Sequence, residues 1–311
     1  MAKKTIDIII PAYNEEACVN ELASRLSKVF SVENLYDFNV ILVENGSLDS
    51  TWEKCKKIAE NDTRFKVLKL ARNFRMDGGL TAGLNFATGD ACIFMTADLQ
   101  DPPEVISDFL RKWEEGYQNI YGLITSRKTS KILRRINSRL FYFIANKFAK
   151  DYIISGVSDF RLMDKKAYEA LRSMPENNRF MRAMSAWVGF KSYGIKINRP
   201  ARFGGKSNAD TFKVIDLAIK GILAFSNIPL RIGTIFGTMI FILSWILLPL
   251  FAYVWIINGV PFAGFGTIIS IFLVLFSTLT VIVSLIGEYI GLIYEEVKMR
   301  PKFIVESTIG L

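Results

Sequence analysis

Four side chains within one short stretch carry the first chemical signal. Thr96, Asp98, Gln100 and Asp101 follow the apolar run Ala91-Cys92-Ile93-Phe94-Met95, and Pro102-Pro103 end it. Carboxylates just past a buried strand either cap a turn or hold a cation through oxygen. Two other strand-like runs end in the same way. Thr5–Ile10 runs into "PAYNEE" (11–16), and Asn39–Val43 runs into "VENGSLDST" (43–51). Each alone fits turn and helix-cap chemistry. Three at corresponding edges of one sheet point instead to a ligand. Acidic groups in a basic chain suit a diphosphate reached through a divalent cation better than a bare phosphate.

The elements that must position these groups alternate. Helical spacing covers Asn14–Phe30, Ser50–Glu60, Gly78–Ala87 and Pro103–Trp113, and strand-like runs cover Thr5–Ile10, Asn39–Val43, Lys66–Leu70 and Ala91–Met95. Short apolar strands separated by helices predict a mostly parallel sheet covered on both faces. Ligands of such sheets bind beyond the carboxyl ends of the strands, where the three polar loops fall.

Composition narrows the chemistry. The 311 residues hold 39 Lys and Arg against 30 Asp and Glu, a net charge of +9, and no histidine. The commonest general base is therefore absent. Cys18, Cys55 and Cys92 lack metal or disulfide spacing and suit a reducing compartment. A charge of +9 could attract nucleic acid, but no base-stacking or groove-reading motif accompanies it, so none is expected as a partner.

From Ile232 to Gly287 there is no charged residue. Two apolar blocks, about 232–257 and 263–287, flank Asn258-Gly259-Val260-Pro261, and each exceeds the ~20 residues that cross a bilayer. A buried hairpin in a soluble core would have shorter blocks with polar faces. Pro249 is tolerable inside a membrane helix. Lys220 and Arg231 precede the first block, and Lys298, Arg300 and Lys302 follow the second, while the connection is uncharged. The positive-inside rule places the N-terminal part and the tail in the cytoplasm, so a multi-pass protein of the inner or plasma membrane is expected. No signal peptide is visible before the first strand. "SRKTSKILRRINSRLFYFIANKFAK" (126–150) interleaves cations with Leu133, Ile136, Leu140, Phe141 and Ile144, as an interfacial amphipathic helix in contact with membrane lipids would. Thr211–Phe225 is a second such candidate. The expected organisation is a catalytic domain over 1–210, a juxtamembrane helix over 211–230, two spans within 231–293 and a tail over 294–311.

Taken together and in order, these stretches resemble family 2 of the inverting GT-A glycosyltransferases. "PAYNEE" is similar to the family's opening donor loop, and "ENGSLDST" to its "DDGSxDxT" loop that grips base and ribose. "ARNFRMDGGLTAGLNFATGD" (71–90) is similar to its "RNxGxxxAxNxGxxxAxGD" segment, and "ADLQDPPE" to its metal loop. "SDFRLMDKKAYEAL" (158–171) and "RFMRAMSAWVGF" (179–190) are similar to the polyisoprenyl-phosphate branch, which includes bactoprenol glucosyltransferases and dolichyl-phosphate mannose synthases. The resemblance implies an α/β, Rossmann-like GT-A sheet with helices on both faces. Interfacial helices and a two-helix transmembrane hairpin would follow it.

The resemblance also implies roles. Pro11, Ala12, Tyr13, Asn14 and Glu15 would line the donor site, with Glu44, Asn45, Gly46, Ser47 and Asp49 at base and ribose. Arg72, Asn73, Asp77, Gly78 and Ala97 would complete it. Asp98, with Gln100 as a supporting oxygen, would hold Mg2+ or Mn2+ as a Lewis acid against the leaving diphosphate. Asp159 matches a base or acceptor-orienting carboxylate. Arg127, Arg134 and Ser138 resemble lipid-phosphate contacts, where arginine binds bidentately. Arg199, Arg202 and Lys206 match a loop that closes over the donor; its usual Lys-Tyr is here Asn208-Ala209, which leaves Lys206 as the substitute. A homo-tetramer is the family's pattern.

Two departures stand out. The family's Asp-Asp before Gly-Ser is Glu44-Asn45, and its Asp-Ala-Asp is Thr96-Ala97-Asp98. The expected activity is transfer of one sugar from a nucleotide sugar, a UDP-sugar first, to undecaprenyl phosphate at the cytoplasmic face. The alternative is a catalytically impaired, membrane-anchored nucleotide-sugar-binding or scaffold protein, and those two departures are its support.

Overall fold

A computed structural model describes residues 3–126, 156–177, 179–200 and 264–311, with six single helical positions between 239 and 257. The chain divides into two compact units, Met1–Thr211 with Arg300–Leu311, and Phe212–Met299.

The first unit is built on one eight-stranded sheet in the order β7-β5-β6-β4-β1-β2-β3-β8. Its centre is β1 (Lys4–Ala12), β2 (Tyr36–Glu44), β3 (Phe65–Leu70) and β4 (Ala91–Phe94), all mutually parallel where they pair. These runs are apolar at consecutive positions because both faces are covered. On one face Ile6, Ile8 and Ile10 pack with Val19, Leu22, Leu26 and Val29 of α1 (Val19–Val32) and with Phe109 of α4 (Ile106–Glu114). On the other lies α3 (Arg75–Phe86), close enough that a Cβ on Gly83 would sit 2.3 Å from Ile9 Cγ2. Glycine is required there by the approach of helix to strand. α2 (Thr51–Asn61) completes the helices between the central strands.

The strands outside this centre were not among the expected elements. β5 (Asn119–Ser126), β6 (Val157–Asp164) and β7 (Ser192–Asn198) extend one side, and β8 (Val305–Ile309) closes the other. β6 runs antiparallel to β4 and β5, and β8 antiparallel to β3, so four of seven neighbouring pairs are parallel. α5 (Lys165–Ser173) and α6 (Met181–Trp187) follow β6. α1 starts at Val19 rather than Asn14, because residues 14–16 give their backbone N–H groups to side chains of the next loop.

A buried carboxylate fixes the entry to β4. Asp7 Oδ2 accepts from the N–H groups of Thr88 (2.6 Å) and Gly89 (2.7 Å), and its Oδ1 accepts from Asn39 Nδ2 (3.1 Å).

In the second unit, α7 (Phe265–Val297) is 33 residues long, about 50 Å at 1.5 Å per residue. It continues past the expected end at Gly287, through Glu288, Glu295 and Glu296. Its segment Thr278–Val297 is, by length and composition, apolar enough to cross a membrane, and none of that segment is buried. Phe272, Phe276, Leu279, Val283 and Ile290 stand exposed along it. It is the single such helix among the described residues, so the expected two-helix hairpin is not established. The first span, the basic helix beyond residue 126 and the 211–225 helix lie outside the described residues, apart from the six positions.

Asp7→Ala strands two buried N–H groups at roughly 1–3 kcal/mol each. Urea unfolding followed by tryptophan fluorescence is expected to show a loss of about 2–6 kcal/mol, and an unchanged midpoint would refute this role.

Candidate active site

The three polar loops meet at the carboxyl ends of β1, β2 and β4, and each is held by its neighbours. Ala12 C=O, at the end of β1, accepts from Asn45 N–H at 2.9 Å. Asn14, at φ 54°, donates its N–H to Ser47 Oγ (3.1 Å) and accepts from Leu48 N–H at its Oδ1 (2.8 Å). Glu15 N–H reaches Thr51 Oγ1 at 2.9 Å. Asp49 accepts from the N–H and hydroxyl of Thr51, at 3.0 and 2.5 Å, in a turn that leads into α2. Glu44 is buried and accepts from Ser47 N–H at 2.5 Å. Pro11 and Ala12 are buried in β1, with Tyr13 half-buried beyond them.

The second loop is joined to the segment before α3 through Asn45. Its Oδ1 accepts from Phe74 N–H (2.9 Å), and its Nδ2 donates to Arg75 C=O (2.8 Å). Next to it Gly46, at φ +69°, leaves no room for a Cβ, which would lie 2.5 Å from the Arg72 carbonyl carbon. Arg75 is also left-handed (φ 63°), its N–H held by Asn73 Oδ1 at 2.7 Å. Arg72 rests its guanidinium on the Phe74 ring, 4.1 Å from the centroid. Gly78 packs under Phe74 Cβ.

Asp77 and Asp159 meet across α6. Asp77 Oδ1 accepts from Met181 N–H at 3.0 Å, and Asp159 receives a two-pronged bond from Arg182, Nε at 3.0 Å and a terminal nitrogen at 2.5 Å. Burial, then the nearby Asp159 charge, pushes Asp77 up to about 6. Burial alone would raise Asp159, but Arg182, aided by Arg161 and Arg199, holds it below the usual carboxylate range. Burial also pushes the enclosed Arg161 down to about 10, against the attraction of Asp159.

At the end of β4, Asp98 is half-buried, and its Oδ1 accepts from the Thr96 hydroxyl (2.8 Å) and Gln100 N–H (3.2 Å). Ala97 is buried beside it. Leu99, at φ 57°, makes the tight turn between Asp98 and Gln100. Asp101 has no exposed surface and takes both prongs of Arg199, at 2.8–3.0 Å, with Ser158 Oγ at 3.1 Å. Asp101 is thus committed to a cation of the protein, while Asp98 stands half-buried with Gln100 beside it. Among the described residues no group of three acidic, Cys or His side chains could hold a metal alone.

Most expected donor residues are thus brought to one edge. Arg127, Arg134, Ser138, Arg202 and Lys206 lie outside the described residues. Arg199, expected in the loop closing over the donor, has its guanidinium on Asp101. Arg182 was not singled out from sequence, and Asp101, named there with the other polar residues of its loop, was given no role of its own; only the buried polar residues of β6, Ser158 and Arg161, hint that something charged must face them.

Comparison with known proteins agrees with this geometry. Residues 7–172 match the model of Glycosyl transferase family 2. An uncharacterized glycosyltransferase of Synechocystis sp. is 34% identical over 306 residues, 98% of this chain and 96% of that protein. A prophage bactoprenol glucosyl transferase homolog of Escherichia coli is 33% identical over 301 residues, 97% and 98% of the two chains. Glucosyl-3-phosphoglycerate synthase of Mycobacterium tuberculosis, solved with Mn2+, uridine diphosphate and product, shares the GT-A fold. The TM-score is 0.51 at 18% identity, over 71% of this chain and 78% of that one.

Asn45→Asp restores the residue usual in such loops, yet it removes the donor to Arg75 C=O. Thermal unfolding is expected to show a loss of about 1–3 kcal/mol with weaker nucleotide binding, and an equal or higher midpoint would refute it. Asp77 titrates in the folded protein near 6, above an unfolded aspartate at 3.8. Its contribution to stability is therefore present below about pH 4 and lost as pH rises through 6. Asp77→Asn is expected to flatten the stability profile between pH 4 and 7, and parallel profiles for the two proteins would refute the assignment.

Proposed function

The chain belongs to glycosyl transferase family 2 and is a glycosyltransferase, and from that premise we propose that it moves a single sugar from a nucleotide sugar to a polyprenyl phosphate. The donor would be a UDP-sugar and the reaction inverting, at the cytoplasmic face of the membrane. The observation that carries this reading is the joining of the Asp98 loop and the Asp159–Arg182 pair at one sheet edge through adjacent residues of β6. Full-length similarity to bactoprenol glucosyl transferases supports the acceptor class.

Loops 11–15 and 44–49 would hold ribose and base between them, and Asp98 with Gln100 would hold a divalent cation. One carboxylate suffices for a hard cation when substrate phosphates and waters supply the remaining oxygens. Such a cation would neutralise charge on the leaving diphosphate. The acceptor is a phosphate monoester whose second ionisation lies near pH 6, so its oxygen attacks without a strong base. Asp159, held low and locked to Arg182, suits orientation of that guanidinium toward the acceptor rather than proton removal. Asn45 is bonded at both its amide oxygen and its amide nitrogen, and the Thr96 hydroxyl lies within donating distance of Asp98 and Asp101, so both departures have structural partners in the site.

The sheet also bears on membrane topology. It takes strands from before and after the apolar stretch, β1–β7 and β8, which supports a reading in which both parts would lie on one side of a membrane that the stretch enters. The cations flanking the stretch favour the cytoplasmic side.

Purified protein incubated with radiolabelled nucleotide sugars, undecaprenyl phosphate and Mn2+ or Mg2+ is expected to yield organic-extractable label for one donor. Asp98→Ala is expected to lower that rate by about 10²-fold or more, as the loss of several kcal/mol of charge stabilisation requires. Near-normal transfer by this variant would sink the assignment.

A further inference from the structure

Four residues other than glycine hold a positive φ among the described residues, and the surroundings account for three of them. Asn14 is of a type that tolerates the left-handed region, and its side chain accepts from Leu48 N–H. Leu99 buries its side chain, and Met299 follows the end of α7, where a left-handed residue commonly closes a helix. Arg75, at φ 63°, has no such reason. Its side chain is exposed, and its guanidinium has no hydrogen bond or ion pair among the described residues. The conformation is imposed from both sides, by Asn73 Oδ1 on its N–H at 2.7 Å and by Asn45 Nδ2 on its C=O at 2.8 Å. Glycine would escape the steric cost that arginine bears there.

The neighbouring cations are engaged. Arg199 is bound to Asp101 and Arg182 to Asp159, while Arg72 lies on the Phe74 ring and donates to Asn73 C=O at 3.3 Å. The charge of Arg75 still reaches the site. Burial and then Asp159 push Asp77 up, and Met181 N–H, Arg182 and Arg75 draw it back. We propose that Arg75 is a substrate-binding residue whose guanidinium takes oxygens of the donor's diphosphate. This rests on the reading of the site as one for a nucleotide sugar. Such a donor adds two phosphate charges to an edge that already holds Glu44, Asp49, Asp77 and Asp98, more than one divalent cation answers. Arginine meets phosphate with two parallel N–H donors, and here no acid must release it first. A strained residue without internal partners then trades stability for binding, as strain at functional sites does.

The test is calorimetric titration of the full-length protein in detergent, with Mg2+ present, by UDP and by GDP, CDP and ADP beside it. Arg75→Gln removes the charge, and Arg75→Gly removes it and frees the backbone. Each is expected to weaken the best-bound nucleotide about tenfold or more, as loss of a hydrogen bond to a charged group does. Arg75→Lys, a point charge without the fork, is expected to fall between. Arg75→Gly is expected at the same time to keep or raise the thermal midpoint, by about 2–4 °C, so a damaged fold does not explain its weaker binding. Half-saturating undecaprenyl phosphate should hardly move. Unchanged nucleotide affinity in both Arg75→Gln and Arg75→Gly overturns the proposal, and affinity lost in Asp98→Ala would then leave the donor reading standing. A loss confined to undecaprenyl phosphate overturns it equally. A wild-type protein that binds none of the four diphosphates overturns the donor reading and the role of Arg75 with it.

Discussion

A carboxylate without exposed surface must have its charge answered, and at Asp101 the answer comes from Arg199. Burying an unpaired ion costs several kcal/mol, so the pair forms as a unit or the region does not close. Closing it joins three strand ends: the turn after β4, Ser158 in β6 and the residue just beyond β7. The rest of the site follows from strand geometry. Successive side chains of β6 point to opposite faces. Ser158 therefore faces Asp101, while Asp159 turns toward Arg182 and Asp77. Two adjacent residues thereby connect the loop of Asp98 to the Asp159–Arg182 pair. Their strand is inserted antiparallel beside β4.

The central strands were legible because a run such as Val40–Val43, buried on both faces, has no polar interruption. β6 was not, since Ser158, Asp159 and Arg161 break its pattern for reasons that lie in the site. β7 and β8 are short and half-exposed, and "SYGIKIN" or "VESTI" reads equally as loop. Among site residues, the three loops were legible by their position at strand ends. The pairings of Asp101 and Arg182 were not, because each joins a partner 98 or 23 residues away, which spacing along one chain does not reveal.

The two departures from the family pattern have a common physical cause. Position 45 must both accept from Phe74 N–H and donate to Arg75 C=O, and an amide does both where a carboxylate cannot. Position 96 lies against two acids, where a hydroxyl can donate and a carboxylate would repel. At both points the chain replaces a charge with a donor: Asn45 holds its loop to the segment before α3, and Thr96 bonds within its own turn.

The tail takes part in the same support. β3 would otherwise be an open edge with unpaired backbone groups. β8 covers it, with Lys69 bonded to Glu306 at 2.6 Å and Ala71 N–H donating to Ile304 C=O at 3.0 Å. Ala71 begins the segment that carries Arg72, Asn73 and Arg75, so the tail fixes where that donor segment starts. Lys302 then reaches Met174 C=O at 3.2 Å, the same carbonyl that Arg179 binds at 2.6 Å. From Arg179 it is two residues to Met181, whose N–H holds Asp77, and three to Arg182, which holds Asp159. Residues that read as a tail thus buttress both sides of the candidate site: the segment of Arg72 to Arg75 through β3, and the segment leading into α6 through Met174.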